Sequence, residues 1–256
     1  MTALLDVRGL DVAIAGRTIC AGLDLSIHAG QSWVLLGRNG AGKTTLLHSL
    51  AGLRPAHGSI RLQGSALAGL SARERARRVA VLLQHSDRGF GTSALESVLT
   101  GRHPHLGRLA WEGPEDLAIA ERCLAATDSQ ALAERPLDTL SGGELRRVEI
   151  ARLLAQQAPL MLLDEPFNHL DLGHQASVLR VLKSQVAGQV GAFLMSIHDL
   201  NLAWQAGSHW LLLDGDGGWH AGPREEIATA TLLSDAFDHP VLRLETDAGV
   251  LFRAQL

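Results

Sequence analysis

Gly37-Arg38-Asn39-Gly40-Ala41-Gly42-Lys43-Thr44 spells a complete Walker A phosphate loop, and its reading decides the fold. Glycines 37, 40 and 42 let the backbone wrap around a phosphate without Cβ clashes. The loop N–H groups and the N-terminus of the following helix then point at anionic oxygens. Lys43 adds a point charge for the β- and γ-phosphates. The Thr44 hydroxyl suits Mg²⁺, and Thr45 reaches the α-phosphate side. With Asn39 and Ala41, these residues make up the phosphate-binding set. Such a loop requires a strand before it and a helix after it. Gln31 to Leu36 reads as the strand, and Gly42 to Leu53 as the helix, with Leu46, Leu47 and Leu50 on one face. This context implies binding of a nucleoside triphosphate.

Upstream of the loop, residues 4–28 alternate apolar and polar positions around a turn near Ala15-Gly16, which predicts an antiparallel β-layer. Downstream, Val79 to Leu83, Leu160 to Leu163 and Ala192 to Ile197 are near-continuous apolar runs. Such runs fit parallel strands covered by helices on both faces. Trp210 to Leu213 runs into the turn cluster Asp214-Gly215-Asp216-Gly217-Gly218 and predicts a hairpin. Between Ser86 and about Ala158 the pattern is helical. The expected fold class is therefore α/β: a P-loop NTPase core with a mainly parallel sheet, an N-terminal antiparallel β-layer and an inserted helical subdomain. Residues 1–256 form one domain in this reading. The nucleotide core occupies 1–85 and 159–256, and the helical subdomain about 86–158.

The length of 256 residues suits one such unit. A formal net charge of −4 argues against a broad nucleic-acid surface. The most basic segment, Arg73 to Arg78, reads as a solvated helix face of mixed charge. Cys20 and Cys123 lack metal-ligand spacing and fit reduced core thiols. The N-terminus shows no signal-peptide pattern, and no run approaches the ~20 apolar residues of a membrane span. A membrane role would have to come through a partner.

Asp164 and Glu165 end a buried apolar strand. Asp164 suits a role in holding Mg²⁺ through water, and Glu165 in polarising the attacking water. Gln84 also follows a core strand, where an amide can reach both metal and water. His198 follows another and is the expected γ-phosphate contact. Ser141-Gly142-Gly143 can form a second anion-binding nest at a helix start, with Glu144 in its first turn. Lys43 already serves the phosphates, so a second nest suggests a second face, supplied by a partner chain.

From about Leu4 to Arg224 the chain closely resembles the ATP-binding-cassette ATPase family. The resemblance implies Walker A at Gly37–Thr44, the glutamine loop at Gln84 and the signature at Leu140–Glu144. It implies Walker B at Leu160–Glu165, the D-loop at Asn168–Asp171 and the switch histidine at His198. Glu165, His198 and Gln84 are then the catalytic set. Ser141, Gly142, Gly143 and Asp171 join the phosphate loop as ATP contacts, and Thr44, Gln84 and Asp164 serve Mg²⁺. The family pairs two cassettes head to tail, each ATP closed between Lys43 of one copy and Ser141 and Gly143 of the other. Gly101 to Gly107, Ser196 to Asn201 and Gly222 to Glu226 are similar to segments of importers for ferric siderophores, haem and cobalamin. Phe167, where Thr is commoner, leans toward the cobalamin type. Direct metal ligation by His103 and His105 is disfavoured by the intervening Pro104 and the lack of a third ligand.

The reading that follows is an ATPase subunit at the cytoplasmic face of a membrane, held there by a transmembrane permease. It pairs with a second copy of itself and serves a substrate-binding protein indirectly. The competing reading is a soluble cassette scaffold, as in iron–sulfur cluster assembly. One departure stands out. The family stacks adenine on an aromatic residue, often Tyr, before Walker A, yet this chain has no Tyr. Trp33 lies in the strand that feeds the loop and reads as core. The platform position falls near Ile14, with Arg17 as a planar cover.

Overall fold

The alternation of residues 4–28 becomes a hairpin of β1 (Leu5–Ile14) and β2 (Arg17–Ile27). Ala15 and Gly16 turn it with φ of 48° and 79°. Two successive positive φ values match the twist that a two-residue hairpin needs. The turn sets Ile14 directly opposite Arg17. The structure, a computed structural model, describes residues 2–84, 91–107, 110–247 and 249–255.

The chain continues through β3 (Ser32–Leu36), α1 (Lys43–Leu50), β4 (His57–Leu62), β5 (Ser65–Ala66), α2 (Ala72–Ala76) and β6 (Val79–Leu82). Next come three helices: α3 (Ala94–Leu99), α4 (Pro114–Ala126) and α5 (Gly142–Ala155). Then follow β7 (Leu160–Leu163), α6 (Leu172–Val186), β8 (Ala192–Ser196), α7 (Leu200–Ala206), β9 (His209–Leu213) and β10 (Trp219–Pro223). The last elements are α8 (Arg224–Ile227), α9 (Ala230–Phe237), β11 (Val241–Thr246) and β12 (Gly249–Ala254).

Among the described residues, one sheet runs in the order β10-β9-β3-β8-β7-β6. It is parallel except where β10 returns against β9. A second, antiparallel layer runs β2-β1-β4-β5. The strands β3, β7 and β8 are buried at every position, as their unbroken apolarity requires. Their side chains alternate between two cores. Val34, Leu36, Met161, Leu163, Phe193 and Met195 face one core. Trp33, Leu35, Leu160, Leu162 and Leu194 face the other, against α1 and the β-layer. Trp33 is 4 % exposed and stacks on His209, so it is core, as its strand position predicts.

A third core lies among α3, α4 and α5, built from residues such as Val98, Ile119, Leu124 and Val148. Helix α5 serves two cores at once: Val148 and Ala151 face the helical cluster, while Ile150 and Leu153 face the sheet. Ser86, the expected start of the helical segment, lies outside the described residues.

Two local expectations need correction. Helix α1 stops at Leu50, short of Leu53, because the amides of Leu53 and Arg54 turn back to the His48 carbonyl. The segment Arg73–Arg78 is not merely solvated. Arg73 and Arg77 both donate to the Pro104 carbonyl, at 2.9 and 2.7 Å, and Arg75 donates to Gly52 at 3.0 Å. The basic residues tie α2 to the helical segment and to the end of α1.

Candidate nucleotide site

The loop between β3 and α1 opens onto a cleft of about 540 Å³. Asn39, Gly40, Gly42, Lys43, Thr44 and Thr45 form its floor, and Gln84, Glu165 and His198 line it as well. These residues come from the ends of β3, β6, β7 and β8. Parallel strands with a common direction deliver their C-terminal ends to one edge, where ligands of open α/β sheets bind. Gly42 has φ of 96°, and a Cβ there would lie 2.4 Å from Ile19. Only glycine fits, and α1 starts at the next residue.

Lys43 is 5 % exposed, and its Nζ donates to the carbonyls of Gly37 at 2.8 Å and Arg38 at 3.3 Å. Burial pushes the ammonium below its ordinary range, while the carboxylates of Glu165 and Asp164 pull it back up. The loop carbonyls thus hold the charge in place over the phosphate cradle.

Glu165 has φ of 48°, a left-handed conformation that is costly for a residue with a Cβ. Its amide donates to Ser196 Oγ at 2.9 Å. Its carboxylate accepts hydrogen bonds from Gln84 Nε2 at 3.0 Å, from Asn168 Nδ2 and from His198 Nε2. Burial acts to raise its pKa, but the bonds from His198, Asn168 and Gln84 together prevail. The carboxyl lies below its ordinary 4.5 and is ionised at neutral pH. The sequence suggested Glu165, Gln84 and His198 separately, and the structure joins them into one cluster. Asn168 and Ser196 belong to that cluster too. Asn168 sat in a segment noted for resemblance and Ser196 in a predicted strand, since a bond to Glu165 has no sequence signature.

Asp164 is 2 % exposed. Its Oδ1 accepts from Ser196 Oγ at 2.6 Å, and its buried Oδ2 has no partner among the described residues. An orphaned buried carboxylate oxygen is costly unless a cation or donor completes it. This hard oxygen, the Thr44 hydroxyl and the Gln84 amide form a donor set suited to Mg²⁺.

The remaining candidates lie apart from the cleft. Ser141 caps α5: its hydroxyl accepts from the Glu144 amide at 3.3 Å, and its own amide donates to the Glu144 carboxylate at 2.8 Å. Gly143 packs so closely on the D-loop that a Cβ would lie 2.8 Å from the His169 carbonyl. Asp171 caps α6 through the His174 amide at 2.9 Å. Ser141, Gly142, Gly143 and Asp171 do not line the cleft of their own chain. His103 bonds Glu112 at 3.1 Å and His105 the Gln156 carbonyl at 2.8 Å, so each has a structural partner. No metal-binding cluster of His, Cys, Asp and Glu occurs among the described residues.

At the outer end of the cleft stand Ile14, 38 % exposed, and Arg17. Arg17 donates to the Gly40 carbonyl at 2.9 Å and to the Gly215 carbonyl at 2.6 Å. The second bond reaches the β9–β10 turn, a contact with no trace in the local sequence.

The sequence profile of the ABC transporter family matches residues 20–168, which hold the phosphate loop, Gln84, the Ser141 peptide and Glu165. The chain belongs to the ABC transporter family. As a member it is an ATP-hydrolysing enzyme. Among its relatives is a hemin import ATP-binding protein of Myxococcus xanthus, 47 % identical over 78 % of this chain and 76 % of that one. Another is a hemin import ATP-binding protein of Streptomyces coelicolor, 41 % identical over 91 % of this chain and 82 % of that one. An achromobactin transport ATP-binding protein of Dickeya dadantii is 37 % identical over 93 % and 88 %. A solved metal-chelate type ABC transporter in an inward-facing conformation superposes with a TM-score of 0.86. Its identity is 26 %, and the match covers 100 % of this chain and 98 % of that one. This ABC cassette thus has the fold that its phosphate loop predicts.

Proposed function

We infer that this chain is the ATP-hydrolysing subunit of an importer for a metal-chelate substrate: haem, a ferric siderophore or cobalamin. The observation that carries the hydrolytic reading is the Glu165 cluster at the edge of the Lys43 cleft. The relatives named for hemin import, achromobactin transport and cobalamin import support the transport class. Relatives that carry import or transport names favour this reading over the soluble iron–sulfur scaffold.

The residues divide the work. The phosphate loop, with Gly37, Asn39, Gly40, Ala41 and Gly42, cradles the phosphates through its amides, while Lys43 neutralises them. Thr45 faces the α-phosphate side. Glu165, ionised and fixed by Asn168, Gln84 and His198, orients the attacking water and accepts its proton. His198 contacts the γ-phosphate when it releases Glu165. Thr44, Gln84 and Asp164 would hold Mg²⁺, which would supply charge neutralisation between β- and γ-phosphates.

Ser141, Gly142, Gly143 and Asp171 act across an interface with a second copy. None of the four lines the cleft of its own chain, which supports this, and so does the exposure of Ser141 and Asp171. The helical segment, about 86–158, works as a subdomain between that nest and a transmembrane permease. The permease docks beside Gln84 and residues 86–107, and carries the chain to the cytoplasmic membrane face. Residues 86–90 of that stretch lie outside the described residues. A substrate-binding protein acts through the permease, and nucleic acid has no part.

Transport of haem, a ferric siderophore or cobalamin by this chain with its permease in proteoliposomes tests the reading. ATP-dependent uptake of one of them is expected. ATP hydrolysis with no uptake of any would overturn the substrate class. Cysteine cross-links from residues 91–107 to the permease test the docking face, and cross-links only beyond Gly222 would refute it.

A further inference from the structure

Arg146 lies one turn into α5, the helix that opens with the Ser141-Gly142-Gly143 peptide. It is 4 % exposed. A guanidinium has five N–H donors in a fixed plane, and burial makes each one costly to leave unpaired. Here all five are used. Nε donates to the Pro166 carbonyl at 3.3 Å. Nη1 donates to the Leu83 carbonyl at 2.8 Å and to Glu149 Oε2 at 2.9 Å. Nη2 donates to the carbonyls of Asp164 and Glu165, the latter at 2.9 Å.

Four of these acceptors are backbone, and they come from two places in the sheet. Leu83 directly precedes Gln84. Asp164, Glu165 and Pro166 form the turn that presents Glu165. A structural buried arginine could pair with any carbonyls, but these four flank the hydrogen-bonded cluster around Glu165. Glu165 sits at a positive φ, a conformation that persists only when its surroundings hold it. Ser196 holds its amide and Arg146 its carbonyl. Helix α5 also belongs to both the helical core and the sheet core, so movement of its first turn is transmitted rather than absorbed.

We propose that Arg146 is a positioning residue for Glu165, one that passes displacement of the signature end of α5 to the backbone aiming Glu165 and Gln84. The proposal rests on the assignment of Glu165 as the base. Glu149 is its counter-charge, 7 % exposed and one helical turn away. A lone buried charge would be unstable, so the two residues act as a unit.

The test is a double-mutant cycle on the full chain, read by single-turnover ATP hydrolysis and by nucleotide binding. Arg146→Gln is expected to lower the hydrolysis rate by roughly 10- to 100-fold, the scale of a small misplacement of a catalytic group. Nucleotide affinity should stay within about threefold, because the phosphate cradle is untouched. In a Glu165→Gln background the same change should cost less than about threefold, because the group it positions is already gone. Where Arg146→Gln folds poorly, Arg146→Gln with Glu149→Gln carries the test, since it leaves no unpaired buried charge. Thermal unfolding identifies which variant to use. An equal loss in both backgrounds, a loss confined to affinity, or an unchanged rate would overturn the role of Arg146 alone. Full activity in Glu165→Gln by itself would overturn the base assignment, and this proposal with it.

Discussion

Arg17 bridges the phosphate loop to the β9–β10 turn by donating to Gly40 at 2.9 Å, and it does so directly opposite Ile14 in the hairpin. Two donors of the guanidinium are occupied by carbonyls, which fixes its plane at the cleft mouth. Ile14 offers an aliphatic surface beside it. Resemblance to the family places the usual aromatic ring near this pair.

Base selectivity should therefore be weak. Aromatic stacking is worth about 1–3 kcal/mol per base, so its absence should weaken nucleotide affinity by roughly 5- to 150-fold relative to a Tyr-bearing relative. GTP should support hydrolysis within about tenfold of ATP, since phosphate contacts do not distinguish the bases. Ile14→Tyr should tighten ATP binding, and Arg17→Ala should weaken both nucleotides by about 2- to 5-fold, the scale of an exposed cation–π contact. Fluorescent-nucleotide titration and parallel ATP and GTP hydrolysis measure these effects. An ATP preference beyond about 100-fold would show that another residue reads the base.

Glu165→Gln should cut hydrolysis by roughly 10²–10⁴-fold, the range for loss of a general base, while ATP binding persists. The amide keeps the shape of the side chain but cannot take the proton. ATP should then hold two copies together, visible as an earlier peak in size-exclusion chromatography. Hydrolysis at the unmodified rate would remove Glu165 from its role.

Acid should act on Glu165 in a defined direction. Its folded pKa lies below the ordinary 4.5, so the folded state binds this proton less readily than the unfolded chain. Its contribution to stability is present above the unfolded pKa and is lost as pH falls through the folded one. Thermal unfolding from about pH 6 to about pH 3 should show the melting temperature of the unmodified chain falling more steeply than that of Glu165→Gln. Parallel curves would mean that the carboxylate is not held by His198, Asn168 and Gln84 in solution.

Ser141→Arg should abolish hydrolysis with little effect on nucleotide binding by the single chain, because Ser141 lies outside its own cleft. Mixed with Lys43→Ala, it should regain activity, since one of the two composite sites then has an intact Lys43 and an intact Ser141. Activity no greater than the sum of the separate variants would argue against the head-to-tail pair.

Much of this molecule was legible in one dimension. The phosphate loop, the buried runs at β6, β7 and β8, and the Ala15-Gly16 turn each depend on a few adjacent residues. Their structure follows from local sterics and burial periodicity. Element ends were less legible: α1 closes early on the His48 carbonyl, a choice made by the turn after it. The segment Arg73–Arg78 is largely solvated, but nothing nearby in sequence revealed Pro104 as an acceptor for Arg73 and Arg77.

The sequence by itself determined that a triphosphate is bound, which strand ends bear acids and amides, and which family these belong to. Those properties reside in residue type and short spacing. Tertiary structure alone decided that Glu165, Gln84, Asn168 and His198 share one hydrogen-bonded cluster. It decided that Arg17 reaches Gly215, that Arg146 grips the Walker B turn, and that Ser141 does not line its own cleft. The reason is geometric. A guanidinium or amide pairs with any carbonyl or carboxylate within reach, and reach is set by strand order and helix packing among residues far apart in the chain.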